Sequence, residues 1–184
     1  MKCCYAHTLQ LPDGTTRPTT EWEPLFTGTG DGHLERVARR AAELAAKFDA
    51  AEWGQLAGLW HDIGKYSREF QAYLLQQSGF EAHLEQISRV DHSTAGARLA
   101  NETLQPWGRM MAYIIAGHHA GLANATGERS SLQSRLTKDI PAIDAAPASL
   151  LQPPAQLPFH AEQHQPTAKA VRRRRHDNRP TFFA

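Results

Sequence analysis

His61 and Asp62 stand side by side in the run Gly58-Leu59-Trp60-His61-Asp62-Ile63-Gly64-Lys65, at the end of an apolar segment. A neutral imidazole suits a transition metal, and a carboxylate can bridge two metals. Adjacent side chains on a helix diverge by roughly 100°, from about 3.6 residues per turn. The pair therefore serves a two-metal centre better than a single tetrahedral site. A His-Asp pair alone is weak evidence. It gains weight from further histidines that a helical fold brings to the same place.

The chain has ten histidines, and several share a setting at a helix end. His33 opens an amphipathic segment, and His61 with Asp62 closes an apolar one. His92 precedes a capped helix, and His118-His119 close another apolar helix between Gly117 and Gly121. Helix ends gather at one face of a bundle, and glycines there let backbone approach a ligand. Histidines and one carboxylate at such ends suit one or two divalent metals. The plainer reading of His118-His119 is a cation favoured by the helix macrodipole. His7 is not assigned to metal, and His83, His160, His164 and His176 are read as surface residues.

The elements follow from pattern. Pro12-Asp13-Gly14, Pro18, Pro24, Gly28 and Gly30 mark an irregular lead-in with a short strand or turn near Tyr5-Ala6-His7. Asp31 is expected to cap a helix from His33, with Leu34, Val37, Ala38, Ala41, Ala45 and Phe48 on one buried face. A central helix fits Glu52 to Ile63, ended by Gly64 in a left-handed conformation. Its last turn would carry the His-Asp pair. Ser67 caps a third helix, and Asp91 or Ser93 caps a fourth over Thr94 to Leu104. The Ala95-Gly96-Ala97 start of the fourth permits close helix approach. Trp107 to Ala116 forms a fifth helix, and Ser130 with Gln133 fits a capping box for a sixth, through about Lys138. Few β-branched alternating runs occur, so the fold class is all-α. Between Ile140 and the basic run at Arg172 six prolines mark a long loop or poorly ordered linker. The division is 1–140 as the domain core and 141–184 as a Pro-rich connecting segment with the basic run Arg172 to Arg175.

Composition narrows the function classes. The chain has 184 residues, enough for one medium domain with a core. Its formal net charge of +1 announces no global basic field for nucleic acid, so polyanion affinity must come from a local patch or from metal. Cys3 and Cys4 are adjacent and give neither a disulfide framework nor a Cys-x-x-Cys zinc spacing, which favours a reducing, cytoplasmic setting. The longest apolar run, Met110 to Ala116, is too short to span a membrane, and no signal peptide opens the chain. No Gly-rich phosphate loop ending in Gly-Lys-Thr or Gly-Lys-Ser is present, so no ATP site is expected.

Residues 5–125 resemble the HD nuclease of type I CRISPR systems, the domain or subunit that accompanies the CRISPR helicase. The likeness is carried by Tyr5-Ala6-His7, Trp22-Glu23-Pro24-Leu25, His33-Leu34, Leu59 to Tyr66, Phe70-Gln71-Ala72-Tyr73-Leu74, Asp91 to Ala97 and Ile115 to Leu122. The His-Asp pair belongs to the whole HD superfamily, and the other stretches are more specific. The resemblance implies an HD-domain helical bundle with a dinuclear metal site. His33, His61 and Asp62 would bind a first ion. Asp62 would bridge to a second, held by His92, His118 and His119. Lys65 would lie near the scissile phosphate and add charge to the transition state. The ions would be divalent manganese, nickel, cobalt or iron, with magnesium or zinc as further options. The implied activity is cleavage of single-stranded DNA, by nicking and by 3′-to-5′ degradation. The implied partners are a helicase and the crRNA-guided surveillance complex, which deliver the substrate.

The chain also departs from the family pattern, which places one more aspartate downstream as a ligand of the first ion, in a Ser-x-Leu-Val-Asp-Ala-Asp-like stretch. Asp139, Asp144 and Asp177 lack that context. The tail Thr181-Phe182-Phe183-Ala184 resembles the start of the helix that would carry it, so the chain is expected to stop just short. Two other readings stay open at this point. One is a general HD phosphohydrolase acting on nucleotides. The other is an inactive fragment that binds a partner. The Arg172 to Arg175 run reads equally as a phosphate contact and as a solvated tail.

Overall fold

The computed structural model describes residues 4–9, 12, 14–78, 90–127, 130–154 and 157. His83, His160, His164, His176, Asp177, the Arg172 to Arg175 run and the Thr181 to Ala184 tail lie outside them. Among the described residues the chain is mainly helical: α1 His33–Ala45, α2 Ala51–Trp60, α3 Arg68–Gln77, α4 Ser93–Thr103, α5 Gly108–Gly117, α6 Leu132–Thr137 and α7 Ala148–Leu151. The expected all-α body is observed. A small antiparallel ribbon joins β1 Tyr5–His7 to β2 Glu23–Pro24 and sets His7 opposite Glu23.

Two antiparallel helix pairs build the core. Gly54 of α2 lies against Ala41 and Ala45 of α1, while Gly58 lies against Ala38. The reversed order brings the start of α1 beside the end of α2. In the same way Gly108 of α5 lies against Ala100 and Asn101 of α4, and Ile115 lies against Gly96, so the start of α4 meets the end of α5. The pairs join where Gly96 seats on the Trp60 carbonyl. A Cβ there would lie 1.9 Å from that oxygen, so only glycine permits the approach. Trp60, Leu34, Ile63, Met111 and Ile115 are fully buried around this junction.

Several local expectations are corrected. Gly32, not Asp31, precedes α1 as its cap residue, and its N–H donates to Glu35 Oε2 at 2.9 Å. Glu35 also accepts from Thr27 and Gly30 and so organises the loop before the helix. Phe48 leaves the buried stripe and is 72 % exposed, because α1 tightens into a 3₁₀ turn at Ala46–Phe48 that rotates it outward. The central helix ends at Trp60 rather than Ile63. Gly64 is not left-handed. It lies in a 3₁₀ turn, Ile63–Tyr66, packed under His92. The α6 cap is Ser131, accepting from Ser134 N at 3.2 Å, one residue later than expected. Ser67 caps α3 as expected, accepting from Phe70 N. Part of the Pro-rich segment is docked rather than loose. Leu150 is buried on α7, and its carbonyl accepts from the Trp60 indole at 2.8 Å.

Candidate metal centre

The two helix pairs each present a histidine from a helix start beside one from a helix end. His33 opens α1 and His61 follows the last residue of α2. Their Nε2 atoms are 3.3 Å apart. His92 precedes α4, while His118 and His119 follow α5. Asp62 lies between the pairs, just past α2 and 2 % exposed. Its Oδ2 is 3.3 Å from His33 Nε2 and 3.2 Å from His61 Nε2. Its Oδ1 is 3.4 Å from His92 Nε2 and 3.2 Å from His118 Nε2. His119 joins the second group through His92, with Nε2 atoms 2.8 Å apart. All six metal ligands expected from sequence therefore come together, divided by the two oxygens of one carboxylate.

The outer nitrogens are occupied by the protein. His61 Nδ1 is 2.8 Å from the Gly58 carbonyl, and His118 Nδ1 is 2.7 Å from that of Ile115. His92 Nδ1 faces Val90 O at 3.4 Å, and His33 Nδ1 is 3.2 Å from Glu23 Oε1. An imidazole whose Nδ1–H points at an oxygen acceptor keeps its Nε2 lone pair free for a metal. Those lone pairs would then face one another and the Asp62 oxygens with no proton between them. Among the described residues Asp62 Oδ1 is indeed a buried oxygen without a hydrogen-bond partner. Such a cluster is repulsive unless cations or extra protons fill it. The donor set thus fits divalent ions, in two groups that share Asp62: His33 and His61 on one side, and His92, His118 and His119 on the other.

Charge at the site follows from burial and neighbours. Burial works against ionised Asp62, but the facing His118, His33 and His61 rings outweigh it and hold the carboxyl below the usual range. Burial pushes His92 down to about 4 against the pull of Asp62, so its ring is neutral near pH 7. Burial also disfavours a charged His118, yet contact with Asp62 and the Ile115 carbonyl raises its pKa overall. A metal ion and a proton would compete for His118 Nε2, so metal binding here is opposed as the pH falls.

Lys65 is no surface lysine. It is 3 % exposed, with Nζ 2.8 Å from Asp62 Oδ2 and donating to the Ala6 carbonyl at 3.2 Å. The ammonium also lies 5.5 Å from the Phe70 ring centroid. Its direct partner is thus the shared carboxylate.

Two neighbours were not singled out by the sequence. Glu23 backs His33 and pairs with Arg36. His7 packs edge-on against the His33 ring, with centroids 4.9 Å apart. His7, Glu23 and His33 form a further close donor group. The available signal was the Tyr5-Ala6-His7 and Trp22-Glu23-Pro24 pairing, since a two-strand ribbon sets these residues opposite each other. Asp139 and Asp144 are exposed and join none of these groups.

No curated protein matches the chain. The HD domain family matches residues 30–146, more than half of the sequence and the span that carries His33, His61, Asp62, His92, His118 and His119. The chain belongs to the HD domain family, a family of metal-dependent phosphohydrolases.

Proposed function

We propose that this chain is a metal-dependent phosphodiester hydrolase that cuts single-stranded DNA in type I CRISPR interference. It would act by endonucleolytic nicking and by 3′-to-5′ degradation. The observation that carries the reading is the division of the Asp62 oxygens between two histidine groups. That arrangement suits a pair of ions on which one phosphodiester could be held. The narrower nuclease reading draws on the stretches Asp91 to Ala97 and Ile115 to Leu122, which a bare His-Asp pair does not require.

His33, His61 and Asp62 would hold the first ion, and Asp62, His92, His118 and His119 the second. When bound, such an ion pair activates water near neutral pH and stabilises attacking and leaving oxygens. The chain's own residues supply the rest. Gly58, Ile115, Val90 and Glu23 fix the ring orientations through Nδ1. Lys65 pairs with Asp62 and would add positive charge where phosphoryl charge builds. Manganese, nickel, cobalt and iron suit the histidine-rich donors, and magnesium suits them less. In this proposal the protein works in the cytoplasm. A CRISPR helicase and the crRNA-guided surveillance complex supply the single strand.

The test is cleavage of labelled single-stranded DNA with manganese, nickel, cobalt or magnesium, beside a panel of nucleotides. The expected result is metal-dependent DNA cleavage that chelation and Asp62→Ala both abolish. Cleavage indifferent to chelation and to Asp62→Ala would overturn the mechanism. Hydrolysis of nucleotides without DNA cleavage would replace the nuclease with a nucleotide phosphohydrolase.

A further inference from the structure

A cleft of about 270 Å³ opens beside the second histidine group, lined by Asp91, His92, Ser93, Ala116, His119 and Arg135 among others. It is smaller than the roughly 300–1,000 Å³ of pockets that enclose whole small molecules. One wall is metal-facing, with His92 and His119 Nε2 in contact at 2.8 Å. Arg135, from α6, also lines the cleft. Arg135 Nη1 donates to the Ala116 carbonyl at 2.7 Å and to Ser93 Oγ at 3.4 Å. Arginine carries five N–H donors. Both of these bonds leave through Nη1, so the Nε and Nη2 donors are not used in them.

Charge makes this cleft selective. Among the described residues Arg135 pairs with no carboxylate. Among the described residues the only carboxylate on the cleft wall is Asp91, and it is spent elsewhere. Asp91 Oδ1 accepts from Ser93 N and Thr94 N, both at 3.1 Å. Its Oδ2 accepts from Thr94 Oγ1 at 2.8 Å and pairs with Lys138. The cleft therefore holds one uncompensated guanidinium a few side chains from the proposed site of hydrolysis. A planar fork of N–H donors is the side chain best matched to phosphate oxygens.

We propose that this cleft takes a second phosphate of the substrate, the one adjoining the scissile phosphate along a nucleic-acid strand, and that Arg135 clamps it. The inference rests on the phosphodiesterase reading of the same centre. It adds a preference for chains over substrates with a single phosphate, and a cationic contact outside the metal ligands.

The experiment compares wild type, Arg135→Gln and Arg135→Lys, each with manganese. The substrates are oligothymidylate and bis(p-nitrophenyl) phosphate, a diester with one phosphate. Bound manganese is counted in every variant. Loss of one phosphate contact predicts a KM for oligothymidylate raised roughly tenfold in Arg135→Gln, with the salt dependence of binding shallower by about one charge. The KM for the small diester should rise much less, and Arg135→Lys should recover part of the loss. Equal losses on both substrates, or a fall in kcat with KM unmoved, would overturn the clamp and make Arg135 a brace for the end of α5. If wild type hydrolyses neither substrate, the hydrolase reading fails. Oligothymidylate binding measured by fluorescence anisotropy then decides the clamp independently: weaker binding in Arg135→Gln supports it, and equal binding ends it.

Discussion

The two halves of the centre share Asp62 but are built differently. On the Oδ2 side stand His33, His61 and Lys65, backed by the Glu23 carboxylate and edged by His7. On the Oδ1 side stand His92, His118 and His119, backed by main-chain carbonyls at Val90 and Ile115, with the Arg135 cleft alongside. The first half has fewer histidines and more fixed charge around them. The second has more histidines and an anion-attracting opening. A carboxylate behind an imidazole raises its basicity and strengthens its hold on a metal more than a carbonyl does. The halves should therefore differ in how tightly they bind metal, and the second half should be where substrate approaches.

The comparison is tested most severely at the group both halves share. Asp62→Asn keeps the shape, removes the charge and leaves Lys65 buried beside a neutral amide. The expected outcome is loss of metal from both halves and a fall in hydrolysis of at least about a hundredfold, the scale of losing one preorganised electrostatic group. Elemental analysis with a cleavage assay checks it, and retention of one full equivalent of manganese would show that one half stands without the shared carboxylate. Next in size are changes confined to one half. Glu23→Gln removes the charge behind His33 and should weaken manganese in that half by about 10–100-fold. His119→Ala should instead empty the second half. Calorimetric titration of manganese separates the two events, and identical isotherms for both variants would mean that the halves act as one site.

The division into halves was only partly legible in the sequence. His33, His61, His92, His118 and His119 could be picked out because each sits at the end of a strongly patterned helix, where apolar spacing gives the boundary. The antiparallel pairing that sorts them was carried by small residues: Gly96 could be read as a point of close approach, though not its partner Trp60, while the meaning of Gly54, Gly58 and Gly108 appears only once their partners are known. Glu23 was missed because a two-residue strand has no periodicity to read. Its contact with His33 depends on an irregular lead-in folding back beside α1. The burial of Lys65 could not be read from its neighbours in sequence, because it comes from tertiary contacts with Ala6 and Phe70. Phe48 and Gly64 show the opposite error, a helix pattern carried past the point where the backbone tightens into a 3₁₀ turn.

Gly64→Ala sharpens the comparison through the backbone alone. A Cβ at this position would lie 2.3 Å from the His92 carbonyl oxygen and 2.7 Å from His92 Cα. The turn that carries Lys65 and the loop that carries His92 would have to separate. Overpacking of this kind costs about 1–3 kcal/mol, which urea unfolding can measure. Because the displaced residue is His92, the second half should lose more manganese affinity than the first. Equal weakening of the two would place the strain at Asp62 instead.

The smallest expected effect concerns the support behind His92. Burial works against ionised Asp91, but its bonds to Thr94 and its pairing with Lys138 outweigh it and hold the carboxyl below the usual range. Asp91→Asn keeps an oxygen to accept from the Ser93 and Thr94 amides, and it removes the charge together with the second oxygen that accepts from the Thr94 hydroxyl. The Lys138 partner is well exposed, so the change should cost at most about 1 kcal/mol near pH 7. A carboxyl whose folded pKa is depressed stabilises the fold fully above its unfolded value of about 3.9 and loses that contribution as pH falls below it. Urea unfolding of the metal-free proteins, stepped from neutral pH into acid, should therefore show the gap between wild type and Asp91→Asn closing as the pH drops through that value. A gap that stays constant into acid would mean that Asp91 supports His92 by its hydrogen bonds alone, and the second half would then owe nothing to fixed charge behind its ligands.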